Sequence, residues 1–416
     1  MTNRSYQAYA FYQYFYPDDV VSSVHFSELC TGLVRRGWDV TAFPCNRGCR
    51  DDSIVYPRDS EFEGVRIERL WRPTLRQSTP VGRILNALWM IFRWTLLAAQ
   101  RGRTPDVVII GTDPILSVLV AIAWRLFKPK TIIANWCFDL YPEAAYADNL
   151  LSRQGLPARI LHVLLKKAYR SCDLVIDIGP CMRKLLLLYD SSLRMATLTP
   201  WALEEPACPL PIPTGERQAM FGNSPFGLLY SGTFGRAHSY QLIMELARLL
   251  HAENVCLTFS IRGNREAALR AAVVSEDTNI RFAPFTAAEN LSDRLASADV
   301  HVVTLREEWT GIVIPSKFFG ALAIGRPVLF CGDPQSAVAQ WIERYDLGWV
   351  LTPENLLEVA TSLRVLLKDR SAVQRKGALC HKVYHEHFSR KIVLDGWHRE
   401  LTELLTNRAR SASTIN

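Results

Sequence analysis

The sequence predicts an α/β protein made of two doubly wound β/α/β domains. Three observations carry that expectation. Short apolar runs of strand length alternate along the chain with stretches of 3.6-residue apolar periodicity. The chain has 416 residues, which suits two domains of ordinary size better than one. Glu204–Pro213 holds four prolines and no periodic pattern, which marks a linker. The expected division is a first domain over 1–203, a Pro-rich linker over 204–222, a second domain over 223–388, a terminal helix over 389–407 and a frayed tail over 408–416.

Composition narrows the class. At 49% hydrophobic and 21% charged residues the chain reads as folded rather than disordered. A net charge of +7 is mild and favours anionic partners such as nucleotide phosphates or an acidic membrane surface. There is no long Lys/Arg run and no nucleic-acid motif, so nucleic acid is not an expected partner. The ten cysteines are scattered, and only Cys45 and Cys49 are close, so free thiols in a reducing cytosol are expected and no metal site. The N-terminus has no apolar core of a secretory signal. Ile84–Ala99 is interrupted by Asn86, Arg93 and Thr95, and Ile115–Phe127 is short and contains Arg125. Neither offers the ~18–20 uncharged residues of a membrane span.

Taken in order, Tyr9–Phe15 reads as the first strand and Tyr16-Pro17-Asp18-Asp19 as the loop after it. Ser22 or Ser23 is placed to cap a helix whose apolar residues Phe26, Leu29, Cys30, Leu33 and Val34 share a face. Trp38–Phe43 is the second strand. A βαβ unit of this kind binds ligands beyond the carboxyl ends of its strands, which points to Asp18, Ser22 and Ser23. Val65–Leu70 is a further strand. Val81–Arg103 reads as an amphipathic helix with Ile84, Leu88, Ile91, Phe92 and Trp94 on one flank and arginines around it. Trp89 and Trp94 suit an interface, so the segment is read either as an in-plane membrane helix or as a helix covering the sheet. Asp106–Thr112 is a continuous apolar strand of a doubly covered sheet, and Asp113-Pro114 starts a helix. After the strand Thr131–Trp136 comes Cys137-Phe-Asp139-Leu-Tyr-Pro-Glu143, which puts a carboxylate just past a strand end. A helix over Leu156–Arg170, a strand over Asp173–Ile178, a loop and helix over Gly179–Leu188 and a strand over Met195–Thr199 complete the half.

The second half opens with a buried strand from Phe226 that runs into Gly232-Thr233-Phe-Gly235-Arg236, with a helix from about Ser239. Glycines let backbone amides approach a phosphate, and Arg236 brings a forked donor set. Strands follow over Val255–Ile261, with Arg262-Gly263-Asn264 after it, and over Asn279–Ala283. A helix over Glu289–Asp299 leads to the strand Val300–Leu305. Then comes Thr310-Gly311-Ile-Val-Ile-Pro315-Ser316-Lys317, leading into a helix that Gly325 ends and Pro327 blocks. Pro315 is expected in the first helical turn, where free N–H groups, the helix dipole and Lys317 together favour an anion. Glu354–Leu367, Ser371–His387 and Ile392–Asn407 read as helices.

These motifs resemble the retaining family-4 glycosyltransferases of the GT-B fold, two Rossmann-like domains, and most closely the branch that makes bacterial surface polysaccharides of the colanic-acid and O-antigen type. The resemblance spans nearly the whole chain. It rests on Arg35-Arg-Gly-Trp-Asp-Val40, Asp139-Leu-Tyr-Pro-Glu143, Pro200-Trp201, Tyr230-Ser-Gly-Thr-Phe-Gly-Arg-Ala-His238 and Pro315-Ser-Lys317. It implies a nucleotide-sugar donor in the second domain, with Arg236 and Lys317 on the diphosphate and Gly232, Thr233, Gly235, Gly263, Thr310, Gly311, Pro315 and Ser316 around it. It implies Asp139 facing the reaction and Asp18, Ser22, Ser23 and Glu143 on the acceptor side. The acceptor would be lipid-linked or an oligosaccharide, at the cytoplasmic face of the membrane. No cofactor or metal is implied, and the terminal helix would return to the first domain.

The chain departs from the pattern in four places. Val21-Ser22 stands where many relatives have two glycines, Phe138 where many have a histidine, and Gln241 where many have a lysine. Ile312 and Gly320 stand where the family has two glutamates, eight positions apart. A nucleotide- or partner-binding homologue without transfer activity, and a sugar-nucleotide epimerase of similar architecture, are the alternative readings.

Overall fold

Two parallel sheets organise the chain. The computed structural model describes residues 5–77, 79–100, 102–286 and 290–414. They form two compact units, residues 1–199 with 393–416, and residues 200–392. The first unit holds β1 (Gln7–Phe11), β2 (Asp39–Ala42), β3 (Asp59–Phe62), β4 (Val65–Glu68), β5 (Val107–Gly111), β6 (Ile132–Trp136), β7 (Leu174–Asp177) and β8 (Met195–Thr197). Their order is β3-β4-β2-β1-β5-β6-β7-β8, and only β3 runs antiparallel. The second unit holds β9 (Phe226–Thr233), β10 (Val255–Arg262), β11 (Ile280–Ala283), β12 (Val300–Thr304), β13 (Val328–Cys331) and β14 (Gly348–Leu351), in the order β11-β10-β9-β12-β13-β14. Every pairing in this second sheet is parallel.

Each sheet reverses direction beside its first strand, between β1 and β5 and between β9 and β12. A doubly wound sheet opens a crevice at that switch point, past the carboxyl ends of its strands. The central strands are buried because helices cover both faces: β5, β6 and β12 are buried at every position, Asn135, His301 and Thr304 included.

Several expectations move. The first strand stops at Phe11, because Gln13 leaves the ladder to donate its N–H to Asp113 O at 2.8 Å and to accept from Cys45 N at 2.8 Å. The following helix starts at Val21, so Ser22 and Ser23 lie inside it and neither caps it. Asp113-Pro114 does not start a helix. Leu116 takes a left-handed conformation (φ 64°), and the helix begins at Val120. The edge hairpin strand β3 and the edge strand β14 were not foreseen, since both are only four residues long. Part of the segment expected to be linker is ordered: Thr214–Phe221 is a helix whose Met220 and Phe221 are buried. The helix expected from Glu289 is observed over Leu291–Ala296, and Glu289 itself lies outside the described residues, as does Arg101.

The amphipathic segment forms the helix Pro80–Ala99. Its buried face carries Asn86, Ala87, Met90, Trp94, Leu97 and Ala98. Trp94 is therefore no interfacial anchor: its indole is fully buried, stacks on Phe11 and donates to Phe43 O. The opposite face is apolar as well, with Val81 68%, Ile84 48%, Leu88 52% and Phe92 50% exposed. Among the described residues no helix is long and apolar enough to cross a membrane.

The last helix, Arg390–Thr414, belongs from Val393 onward to the first unit. Trp397 is fully buried there and meets Trp136 of β6 edge to face at 5.2 Å. Arg36 pairs with Asp395 at 2.6 Å, and the Trp38 indole donates to His398 Nδ1 at 3.0 Å. The tail expected to fray is held at Arg408, which donates to Lys130 O at 2.6 Å and pairs with Asp173 at 3.2 Å. The C-terminal helix is thus part of the first unit's core. Replacing Trp397 by Ala should cost about 3–5 kcal/mol and lower the melting temperature of that unit, measurable by calorimetry.

Candidate functional site

The strand ends at the second sheet's switch point bring the anion features together. The register pairs Ile261 with Gly232 and Arg262 with Thr233, so the exits of β9 and β10 lie side by side. Gly232 has φ +126°, a conformation that L side chains rarely adopt, and a Cβ there would sit 2.8 Å from Lys317 Cε. The glycine therefore lets the Lys317 side chain cross the strand exit. The ammonium ends 5.2 Å from the centre of the Tyr230 ring. Gly263 is required for a second close approach, because a Cβ there would lie 2.4 Å from Phe234 O.

Lys317 has no carboxylate partner among the described residues. Burial lowers its pKa from 10.5 to about 8. His238 lies beside it and stays neutral: burial and the Lys317 charge push its pKa down to about 3. Its Nδ1–H donates to Thr304 O at 2.7 Å. Arg265 donates to His238 O at 2.9 Å, and Arg306 donates to Arg236 O at 3.1 Å and, through its backbone N–H, to Ala237 O at 2.8 Å. Arg236 itself is exposed on this loop, with Thr233 exposed and Gly235 free of any atom that a Cβ would meet. Three arginines and one lysine thus frame the exits of β9 and β12, an electropositive rim suited to a diphosphate.

The Thr310–Lys317 segment differs in detail from expectation. The helix starts at Lys317 rather than at Pro315 and runs only to Ala323, so Pro315 and Ser316 form the approach to it. Ser316 makes no capping bond with its side chain. Gly311 turns the chain with φ 80°. Two polar atoms here are buried without a partner, Trp309 Nε1 and Thr310 Oγ1. Ile312 is buried and Gly320 opens onto free space, with only Leu295 in ordinary contact.

In the first unit the switch point gathers Tyr12, Tyr14, Asp18, Ser22, Asp113 and Asp139. Asp113 has its carboxyl raised to about 7, by burial first and by Asp139 second; Asp139 is pushed upward by desolvation in the cleft, an effect that its exposed surface tempers. Carboxyls raised toward neutrality are suited to carry or release a proton. Ser22 bonds the Tyr12 hydroxyl. The other residues expected on this side have internal duties. Asp18 accepts from Cys49 N at 2.8 Å, Ser23 is buried and donates to Asp18 O, and Glu143 is buried and accepts from the Tyr189 hydroxyl at 2.5 Å. Sequence reasoning overlooked Asp113, Tyr230 and Trp309. Asp113 stood after a strand just as Asp139 does, which was the available signal. Among the described residues no group of three or more His, Cys, Asp or Glu is arranged to hold a metal.

Residues 22–200 match the family described as glycosyl transferase 4-like domain, and residues 225–369 match glycosyl transferases group 1. Both matched segments are glycosyltransferase domains, and the two Rossmann-like units have the GT-B fold. It is similar to a probable glycosyltransferase, WbjE of Pseudomonas aeruginosa, at 23% identity over 78% of this chain and 81% of that one. Over 36% of its length it is 24% identical to 38% of WcaI of Escherichia coli K12, a putative colanic acid biosynthesis glycosyl transferase. The fold is that of sucrose-phosphate synthase from Thermosynechococcus elongatus, with TM-score 0.71 and 16% identity over 97% of this chain and 100% of that one.

The pH dependence of the anion site follows from Lys317. Above about pH 8 the ammonium loses its proton, well below the ordinary 10.5. Affinity for a nucleoside diphosphate should fall up to tenfold per pH unit from there, while between pH 8 and 10.5 the same residue's contribution to stability rises, because the unfolded chain binds the extra proton. Calorimetric titration from pH 7 to 10, with Lys317→Ala as the flat control, measures it.

Proposed function

We propose that the chain transfers a sugar from a nucleotide-sugar donor to a lipid-linked or oligosaccharide acceptor, with retention of anomeric configuration, in the assembly of a cell-surface polysaccharide. The observation that carries this reading is the unpaired Lys317 ammonium lying across Gly232, within a domain that matches group 1 glycosyltransferases. A half-buried cation without a carboxylate partner is poised for an anion, and its interaction strengthens as charge moves onto a departing diphosphate. Arg236 adds a bidentate donor on the same rim. Thr310 Oγ1 and Trp309 Nε1 are the unpaired polar atoms offered to the donor. The carboxyls of Asp139 and Asp113 lie at the first unit's switch point, where an acceptor hydroxyl would be handled. The colanic-acid assignment of WcaI supports the polysaccharide class. None of these roles needs a cofactor or a metal.

A nucleotide-binding homologue without transfer is the second reading. It is favoured by Ile312 and Gly320, neither of which supplies a carboxylate. Calorimetric titration against UDP-, GDP-, dTDP- and ADP-sugars separates the two when a transfer assay is run beside it. Tight binding of one donor, weakened at least tenfold by Arg236→Ala and by Lys317→Ala, with release of nucleoside diphosphate on adding acceptor, supports transfer. Binding without release supports the second reading, and no binding defeats both.

The exposed face of Pro80–Ala99 supports the further reading that the protein works at a membrane surface. Val81, Ile84, Leu88 and Phe92 project as one apolar stripe, and Arg83 and Arg93 on the same helix suit anionic lipid. Anionic liposomes should carry the protein upward in a flotation gradient, and Leu88→Glu with Phe92→Glu should leave it at the bottom. Wild type that stays at the bottom refutes membrane contact through this helix.

A further inference from the structure

A histidine pair in the second unit stands apart from everything used so far. His381 and His385 lie one turn apart on the helix Arg370–His387. Their Nε2 atoms approach to 3.1 Å, and the two lie 3.0 and 3.1 Å from Pro206 O. His381 is 9% exposed, and His385 is half-buried.

Protons satisfy this triangle in one way only, with both Nε2–H groups donating to the two lone pairs of Pro206 O. A carbonyl oxygen only accepts, and each Nε2 carries at most one hydrogen. If both rings hold that hydrogen, both donate to Pro206 O and two N–H groups face each other at 3.1 Å. If one ring lacks it, that ring's lone pair faces the carbonyl lone pairs at 3.0–3.1 Å. At most two of the three contacts are hydrogen bonds in any tautomer. A cation that accepts all three lone pairs removes the conflict. The spacing fits one: with bonds of about 2.1 Å, the edge of a coordination octahedron is about 3.0 Å long. Two imidazoles and an oxygen are the donors that first-row divalent metals such as Zn²⁺, Co²⁺ and Ni²⁺ take. Negative charge is close in sequence. Glu205, next to Pro206, accepts from the Tyr384 hydroxyl at 2.5 Å and from Arg390 N at 2.6 Å.

We propose that His381, His385 and the Pro206 carbonyl form a facial site for one divalent first-row transition metal, the remaining positions going to water. The metal would fasten the segment by which the chain enters the second unit to the helix Arg370–His387. The site is structural and takes no part in sugar transfer, so it stands independently of the proposed function.

The test uses the full chain without a histidine tag, stripped with chelator, then titrated with Ni²⁺, Co²⁺ and Zn²⁺ by calorimetry and, for Co²⁺, by its visible absorption. One equivalent should bind and raise the melting temperature by several degrees, an effect of mass action on the folded state. His385→Ala, at the half-buried position, and His381→Ala should each weaken binding at least tenfold, with unchanged far-ultraviolet circular dichroism confirming the fold. His387→Ala, on the same helix, should bind as wild type does. Absence of binding at 100 µM metal would overturn the proposal. So would binding that persists in the His381→Ala/His385→Ala double variant, or that is lost instead in Cys208→Ser.

Discussion

A cation held without a counter-ion organises the second unit. Lys317 is the first residue of its helix, yet its side chain turns back across the exit of β9. That path exists only because Gly232 has no Cβ and adopts a conformation other residues avoid. Around the ammonium the protein offers the face of Tyr230 and a histidine that cannot share its charge. Burying a charge this way is unfavourable unless something compensates, and the depressed pKa records that cost. An anion is the compensation that the proposed function supplies. The glycine turn, the loop arginines and the switch point all gain their meaning from it.

The first unit has a different chemical character at the equivalent place. Its switch point presents carboxyls rather than cations, and Asp113 has its proton affinity raised by burial and then by the neighbouring Asp139. Such groups suit a neutral, hydroxyl-rich ligand better than a phosphate. In the proposed function, the cationic rim of one unit would take the charged donor and the carboxyl-bearing switch point of the other an acceptor hydroxyl.

Much of this was legible in the sequence because alternation, periodicity and punctuation all agreed. The strand β5 was plain as an unbroken apolar run, β6, β9 and β12 as mostly apolar ones, and Leu156–Arg170 as a helix with one apolar stripe. The losses have physical causes. The edge strands β3 and β14 are short and owe their existence to a neighbour, so no local pattern announces them. Trp94 looked like an interfacial anchor because its spacing places it near the apolar flank, and only the Phe43 carbonyl shows that its N–H is satisfied inside. The Pro-rich segment hid the helix Thr214–Phe221, whose Met220 and Phe221 are the sole apolar signal. Asp18, Ser23 and Glu143 were legible as polar groups near a site, but their hydrogen bonds run inward. The Lys317–Gly232 contact was invisible, since eighty-five positions separate its members and only the sheet joins them.

The claim that this cation is a diphosphate receptor is open to one direct measurement, amide hydrogen exchange of the full chain with and without inorganic pyrophosphate at neutral pH. The account predicts new protection in two segments of the second unit, 231–238 and 310–317, and none around 12–23 or 111–117. Protection that appears at the first unit's loops instead, or pyrophosphate that protects neither segment at concentrations saturating any binding seen by calorimetry, would contradict it.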